Sequence, residues 1–288
     1  MSEGIFSDKS LRERTSEQKW QILQQKLKDM KKAAVAFSGG VDSTFLLYAA
    51  HEALGDDVLA LTVQCDWVPV RENAEAEEFC RAHGIRQLIC RIQPDEVEGF
   101  CENPPDRCYL CKKVLFSRMR QMAEAEGIDW VLDGSNMDDL SDYRPGIRAL
   151  REMGIVSILQ DAGLTKEEIR ILSKEHGLST WKKPSFACLA SRFVYGERIT
   201  KEKLDMVDRA EQKLMDLGFH QFRVRIHGNL ARIELLNEEL ERLMEPQTRK
   251  EVTGYLKELG FSYVTLDLMG YRSGSMNEVL QQNKSKSN

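Results

Sequence analysis

The sequence predicts an α/β protein with a parallel sheet, joined to a smaller α+β C-terminal domain. Three observations predict it. Short apolar runs at 33–37, 58–65, 87–92 and 130–133 alternate with helix-patterned stretches, the order expected of a parallel sheet with helices on both faces. The first run passes through Ser38-Gly39-Gly40 straight into a helix. Beyond about Lys182 the alternation stops, and a long loop, a helix and a hairpin follow. The chain divides accordingly into a flexible leader (1–15), a sheet domain (16–181), a C-terminal domain (182–280) and a Lys/Ser/Asn tail (281–288) of disordered composition.

The elements follow in order. Ser16–Met30 carries Trp20, Leu23, Leu27 and Met30 as one apolar stripe, which predicts a helix. Ala33–Phe37 is a buried strand, and Asp42–Ala53 a helix with Phe45, Leu46, Ala49, Ala50 and Ala53 on its apolar side. Val58–Cys65 is a second strand, Arg71–His83 a helix stopped by Gly84, and Gln87–Ile92 a third strand. Residues 94–104 are irregular, since Pro104-Pro105 excludes regular structure there. Asp106–Glu126 is helical, and Trp130–Asp133 is a fourth strand. Thr165-Lys166-Glu167-Glu168 is a capping box opening a helix to His176. In the second domain come a helix at Lys201–Leu217, a hairpin of Gln221–Ile226 and Leu230–Leu235, helices near Asn237–Met244 and Arg249–Leu259, and a strand at Tyr263–Leu266.

Composition narrows the function classes. At 42% hydrophobic and 30% charged, this is a soluble globular chain. No apolar run approaches the ~20 residues that span a bilayer, and the polar, charged Met1–Arg14 shows no signal peptide, so the cytoplasm is expected. A formal net charge of −5 argues against a broad nucleic-acid surface. Seven cysteines without an export signal point to reduced thiols, so clustered ones read as ligands or catalysts.

The strand, glycine turn and helix start at 33–44 make an anion site, because free N–H groups and the positive end of the helix dipole converge there. The spacing fits neither a Walker loop nor a dinucleotide loop. Ser38, Gly39, Gly40, Val41, Asp42 and Ser43 are therefore the candidate phosphate contacts, and Asp42 a candidate Mg²⁺ ligand. A second segment, Gly134, Ser135, Asn136 and Asp138, follows the fourth strand and falls at the same end of the sheet. Cys108 and Cys111 form a Cys-x-x-Cys pair at a helix start, suited to metal or redox chemistry. Two thiols do not complete a four-ligand site, and Cys188 is a candidate third, with Ser191 and Arg192 adjoining it as candidate substrate contacts. Cys65, Cys80, Cys90 and Cys101 read as structural. Arg223 and Arg225 alternate on a strand and so share a face, where they can clamp a substrate phosphate. Glu211 and Glu234 are candidate substrate-side or metal contacts; their alternative is a solvated surface carboxylate.

Ser-Gly-Gly-x-Asp-Ser after a strand resembles the pyrophosphate loop of the N-type ATP pyrophosphatases (PP-loop proteins), and Gly134-Ser135-Asn136-x-Asp138 resembles their second nucleotide motif. The resemblance implies a Rossmann-like sheet of the adenine-nucleotide alpha-hydrolase type that splits ATP·Mg²⁺ into AMP and pyrophosphate. Together with Asn103-Pro104-Pro105-Asp106-Arg107-Cys108-Tyr109-x-Cys111-Lys112, Asp142-Tyr143-Arg144-Pro145-Gly146 and Pro184-Ser185-x-Ala187-Cys188-Leu189-Ala190-Ser191-Arg192, these residues resemble the LarE sulfur transferases from about residue 15 to 280. That resemblance implies adenylation of a pyridinium biscarboxylic acid mononucleotide and replacement of the activated oxygen by sulfur, on the way to the nickel-pincer nucleotide of lactate racemase. It makes Cys188 the attacking thiol. Either Cys188 gives up its own sulfur, or Cys108, Cys111 and Cys188 hold a [4Fe-4S] cluster whose extra sulfide is transferred; the paired cysteines look like the second branch. It also implies a homo-oligomer.

Two other readings remain open. A PP-loop tRNA thiolase shares the loop and the Cys-x-x-Cys pair, but calls for a basic face. An amidotransferase-type ligase of the NAD or GMP synthetase kind shares the loop and leaves the three cysteines without a role.

Overall fold

The structure is a computed structural model and describes residues 13–141, 145–184, 187–272 and 274–277. Most of the leader, Asp142-Tyr143-Arg144, Ser185 and the 281–288 tail lie outside the described residues. The chain forms two compact units. One comprises residues up to Cys65, Val70–Ile92 and Cys108–Ser185; the other comprises Asp66–Pro69, Gln93–Arg107 and the chain from Phe186 on.

The first unit is a Rossmann-like α/β layer. Its strands are β1 (Ala33–Ala36), β2 (Val58–Gln64), β3 (Gln87–Arg91) and β4 (Val131–Leu132), all parallel, in the order β3-β2-β1-β4. Its helices are α1 (Ser16–Met30), α2 (Val41–Leu54), α3 (Val70–Ala82), α4 (Arg107–Ala125, which starts at the junction), α5 (Pro145–Glu152), α6 (Ile158–Asp161) and α7 (Lys166–Glu175). Side chains alternate along a strand, and here the alternation supplies two cores. Ala33, Val35, Val58 and Ala60 pack with Trp20, Leu23 and Leu27 of α1, Phe45 and Leu46 of α2, and Ile169 and Leu172 of α7. Ala34, Leu59, Leu61 and Val131 pack with Phe116, Met119 and Ala123 of α4 and Leu150 of α5. Each fully buried Leu or Phe contributes about 1.5–3 kcal/mol relative to exposure.

The chain builds outward from β1 to β2 and β3, then returns to pair β4 on the other side of β1. That reversal opens a crevice at the carboxyl ends of β1 and β4, the usual ligand position in such sheets. The expected fourth strand is shorter than its apolar run: Trp130 is 44% exposed and only Val131–Leu132 pair. Helices α5 and α6 occupy a stretch to which the sequence assigns no element; α5 starts on a proline and buries Gly146, Ala149 and Leu150.

The second unit holds α8 (Lys201–Asp216), β5 (Phe222–His227), β6 (Leu230–Leu235), α9 (Leu240–Met244), α10 (Pro246–Glu258) and β7 (Tyr263–Leu266). β5 and β6 form the expected antiparallel hairpin, and β7 adds parallel to β6. Leu204, Val207, Ala210 and Leu214 form the buried stripe of α8, which packs on β5. No helix among the described residues is long and apolar enough to cross a membrane.

Candidate active site

The nucleotide cradle is built where β1 meets α2. Gly39 has φ 71°, and a Cβ there would lie 3.3 Å from the Glu72 carbonyl oxygen of α3, so both backbone conformation and space call for glycine. Gly40 caps α2 with no side-chain hydrogen bond. The N–H groups of Val41, Asp42 and Ser43 therefore have no intrahelical acceptor. Ser43 holds the turn from inside: its Oγ accepts the Ser38 N–H at 3.3 Å, donates to the Gly40 carbonyl at 3.2 Å and lies 3.1 Å from Ser38 Oγ.

The loop after β4 packs directly on this turn. A Cβ on Gly134 would sit 3.1 Å from Ser43 N, so only a glycine lets the two backbones approach this closely. Buried Asp133 shapes the second loop by accepting the Ser135 N–H (3.2 Å), the Ser135 hydroxyl (2.5 Å) and the Ser157 hydroxyl (2.5 Å). The Asn136 N–H donates to Asp139 at 3.0 Å, and Asn136 Oδ1 accepts the Asp138 N–H at 3.0 Å.

Asp42 carries the site's electrostatics. Its Oδ2 pairs with the Lys166 ammonium, while its Oδ1 is buried without a hydrogen-bond partner. Burial raises the Asp42 carboxyl above the usual range, with the Lys166 charge opposing. An orphaned buried carboxylate oxygen is costly. Beside uncapped N–H groups that favour phosphate, it fits a divalent cation shared between protein and polyphosphate. A second lysine, Lys183, donates to the Gly39 carbonyl at 3.0 Å and pairs with Glu75 at 2.5 Å. The sequence reading missed Asp133, Lys166 and Lys183. A signal existed for one of them: Lys166 stands first in its helix, where a cation opposes the dipole.

Cys108 and Cys111 lie one turn apart at the head of α4, the first exposed and the second buried. α5 clamps that turn. The Tyr109 hydroxyl donates to Glu152 at 2.6 Å, the Arg148 guanidinium stacks 3.9 Å over the Tyr109 ring, and Gly146 leaves room for Lys112, whose Cδ would be 2.7 Å from a Cβ there. Among the other thiols, burial pushes Cys80 up to about 12, out of reach of thiolate chemistry. Among the described residues no group of three or more His, Cys, Asp or Glu side chains is arranged to hold a metal ion.

In the second unit Cys188 is exposed on the loop before α8. Arg192, fully buried, ties that loop down: its Nη1 donates to the carbonyls of Ala187 (2.7 Å) and Cys188 (3.3 Å) and to Ser191 Oγ (2.8 Å). Its Nε and Nη2 each donate to a Glu211 oxygen at 2.8 Å, and Glu211 also accepts the Val224 N–H at 2.9 Å. Burial works to raise Glu211, but the Arg192 charge, with Arg223 and the Val224 N–H, holds it below the ordinary carboxylate value. Arg223 and Arg225 share a face of β5 and are nearly buried. Arg225 donates to the Ser191 carbonyl (2.9 Å), Glu234 (2.9 Å) and Ser275 Oγ (3.0 Å), while its Nε is buried without a partner. Burial, and next the Arg192 charge, bring Arg223 down to about 10, and its guanidinium lies 5.2 Å over the Tyr271 ring. The alternative reading of Glu211 and Glu234 as solvated surface carboxylates does not hold: both are fully buried in arginine pairs. Glu211 falls on the Leu204-Val207-Leu214 stripe of α8, and that spacing already pointed inward.

A parallel sheet that delivers Ser-Gly-Gly-x-Asp-Ser to an uncapped helix start, with a second glycine loop packed on it, defines an ATP-binding protein of the PP-loop class. No family model matches the chain. It is 39% identical over 263 residues to the pyridinium-3,5-bisthiocarboxylic acid mononucleotide synthase of Lactiplantibacillus plantarum, covering 88% of this chain and 92% of that protein. It is 41% identical over 264 residues to an uncharacterised protein of Synechocystis, covering 92% and 98%. A weaker likeness, 27% over 208 residues, links it to one component of the glutamine-hydrolysing GMP synthase of Thermoplasma volcanium, at 64% and 65% coverage. The chain belongs to the LarE family, and it is an enzyme.

Proposed function

We propose that this chain adenylates a carboxylate of pyridinium-3,5-biscarboxylic acid mononucleotide with ATP and converts it to a thiocarboxylate, in the synthesis of the nickel-pincer nucleotide. A substrate carboxylate oxygen attacks the α-phosphorus; the α–β phosphoanhydride bond breaks and pyrophosphate leaves with the electron pair. The N–H groups of Val41, Asp42 and Ser43 receive the phosphate charge, with Ser38, Gly39 and Gly40 shaping the turn and Gly134, Ser135 and Asn136 bordering it. Asp42, with Asp138 from the second loop, would hold Mg²⁺, which screens polyphosphate charge.

The Cys188 thiolate then adds to the acyl carbon and AMP leaves. If Cys188 is itself the donor, removal of its α-proton and cleavage of Cβ–Sγ leave a thiocarboxylate and dehydroalanine. Cys108, Cys111 and Cys188 are the thiols proposed to hold a [4Fe-4S] cluster, which would instead supply sulfide. Arg223 and Arg225 are proposed to bind the substrate phosphate, with Ser191, Arg192 and Glu211 setting the loop. The protein is assigned to the cytoplasm as a homo-oligomer acting on a small nucleotide.

The observation that supports this reading best is an exposed Cys188 on a loop anchored by the buried Arg192–Glu211 pair. The test is anaerobic turnover of ATP·Mg²⁺ with the biscarboxylate mononucleotide and, in parallel, with bulk tRNA. Cys188→Ala should still release pyrophosphate with the small nucleotide and make no thiocarboxylate. Full sulfur transfer by that variant, or release only with tRNA, would overturn the proposal. Loss of one H₂S from the wild-type chain after turnover would identify Cys188 as donor.

A further inference from the structure

The β5–β6 hairpin has one apolar face, where Val224, Ile226, Ala231 and Ile233 are buried, and one charged face. Side chains alternate along each strand, so Arg223, Arg225 and His227 share the charged face with Arg232 and Glu234. Arg225 and Arg232 stand directly opposite each other in the ladder, where like charges are unfavourable. Glu234 answers both, one oxygen pairing with Arg225 at 2.9 Å and the other with Arg232 at 3.1 Å. Asp267 adds a longer contact to Arg232, at 3.5 Å. Three nitrogens on this face are buried with no hydrogen-bond partner among the described residues: Arg225 Nε, Arg232 Nε and His227 Nε2. One such atom is costly; three on neighbouring residues make a donor cluster suited to an anion. Arg232 keeps 29% of its side chain exposed and His227 is half-buried, so solvent reaches this face.

Charges reach His227 from three elements: Arg225 on its own strand, Arg232 and Glu234 on β6, and Glu197 on the loop before α8. Burial, and next the Arg232 charge, hold the imidazole below the ordinary histidine value, with Glu197 opposing. It is therefore neutral near pH 7. We propose that His227 and Arg232 complete the substrate-phosphate site that Arg223 and Arg225 begin, and that His227 takes a proton from solvent as a phosphate monoester dianion binds. The proposal rests on the reading of Arg223 and Arg225 given above and names the residues that sense the charge of that phosphate. A phosphate monoester carries roughly 1.5 to 2 negative charges at neutral pH. Set against Arg225 and Arg232, it reverses the field at His227 from repelling a proton to attracting one. Nε2 then becomes a charged donor to a phosphate oxygen.

The test reads binding of the pyridinium biscarboxylate mononucleotide by calorimetry, without ATP so that no turnover occurs. The same compound lacking its phosphate serves as the control. In His227→Gln, which keeps a neutral amide and cannot titrate, the mononucleotide should bind about tenfold more weakly than to wild type at pH 6 and within about twofold at pH 8.5. A histidine that only supports the fold would weaken binding equally at both values, and that result overturns the proposal. A second reading needs no functional variant. The chain has five histidines, so the His227 ring resonance can be assigned and followed in the wild-type protein. Its titration midpoint should rise by about one pH unit or more with the mononucleotide and stay put with the phosphate-free control. A midpoint unmoved by the mononucleotide overturns the proposal. Equal affinity for the two compounds would overturn the substrate-phosphate reading of Arg223 and Arg225, and this proposal with it.

Discussion

Two carboxylate–cation pairs divide the labour of this molecule. Glu211–Arg192 is closed: two parallel hydrogen bonds, a third from the Val224 N–H, and no solvent exposure on either side chain. Asp42–Lys166 is open: one oxygen is paired, the other is orphaned, and both side chains are about a quarter exposed. The carboxyls shift in opposite directions, Glu211 down and Asp42 up. A buried pair with both carboxylate oxygens hydrogen-bonded is a framing element, whereas one left unsatisfied beside free N–H groups is waiting for a ligand.

The comparison breaks first at Glu211. Glu211→Gln leaves Arg192 buried and unbalanced, and should lower stability by about 3–5 kcal/mol in denaturant unfolding. A loss below 1 kcal/mol would show that the pair frames nothing. Asp42→Asn should do the reverse. Pyrophosphate release should fall on the order of 100-fold, while stability stays within about 1 kcal/mol, because the exposed part of Lys166 keeps access to water. Acid gives the smallest and sharpest test. Glu211 has a folded value below its unfolded one, so its contribution is complete above the ordinary glutamate range and is lost as pH falls through the depressed value. Protection of the Val224 amide, corrected for intrinsic exchange, should fall in that window, and Glu211→Gln should flatten the dependence.

The open pair and its surroundings were partly legible in the sequence. Strand, glycine turn and helix start are contiguous, so local rules suffice to place Asp42 on an anion site. Lys166 and Lys183 are not contiguous with it. They reach the cradle from the head of α7 and from a loop beyond it, and only the pairing of β4 with β1 makes those neighbours. The same holds for Gly134, whose missing side chain matters because of Ser43, far away in sequence. The helices and strands came through nearly whole because their apolar periodicity is strong. The fourth strand and α5 did not: two paired residues carry no period, and α5 is a single amphipathic face eight residues long. Glu211 shows a different failure. Its charge suggested solvent, while its position on the α8 stripe pointed inward, and the position prevailed because an arginine was there to meet it.

The make-up of the second unit bears on the order of events during synthesis. Asp66–Pro69 and Gln93–Arg107 are made early, yet they belong with chain from Phe186 on. Trp67 and Phe100, both nearly fully buried, meet at 4.4 Å with their rings tilted by 38°, and the Trp67 carbonyl waits for the Leu189 N–H, as Asn103 waits for Val194 and Gly196. At about 5–20 residues per second, the roughly 80 residues between Arg107 and these partners take roughly 4–16 s to appear. For that interval the segments carrying the two rings lack their later partners Leu189, Val194 and Gly196. The ribosome-bound intermediate is therefore a natural client for a chaperone, and a gene cut between the units would strand those rings permanently.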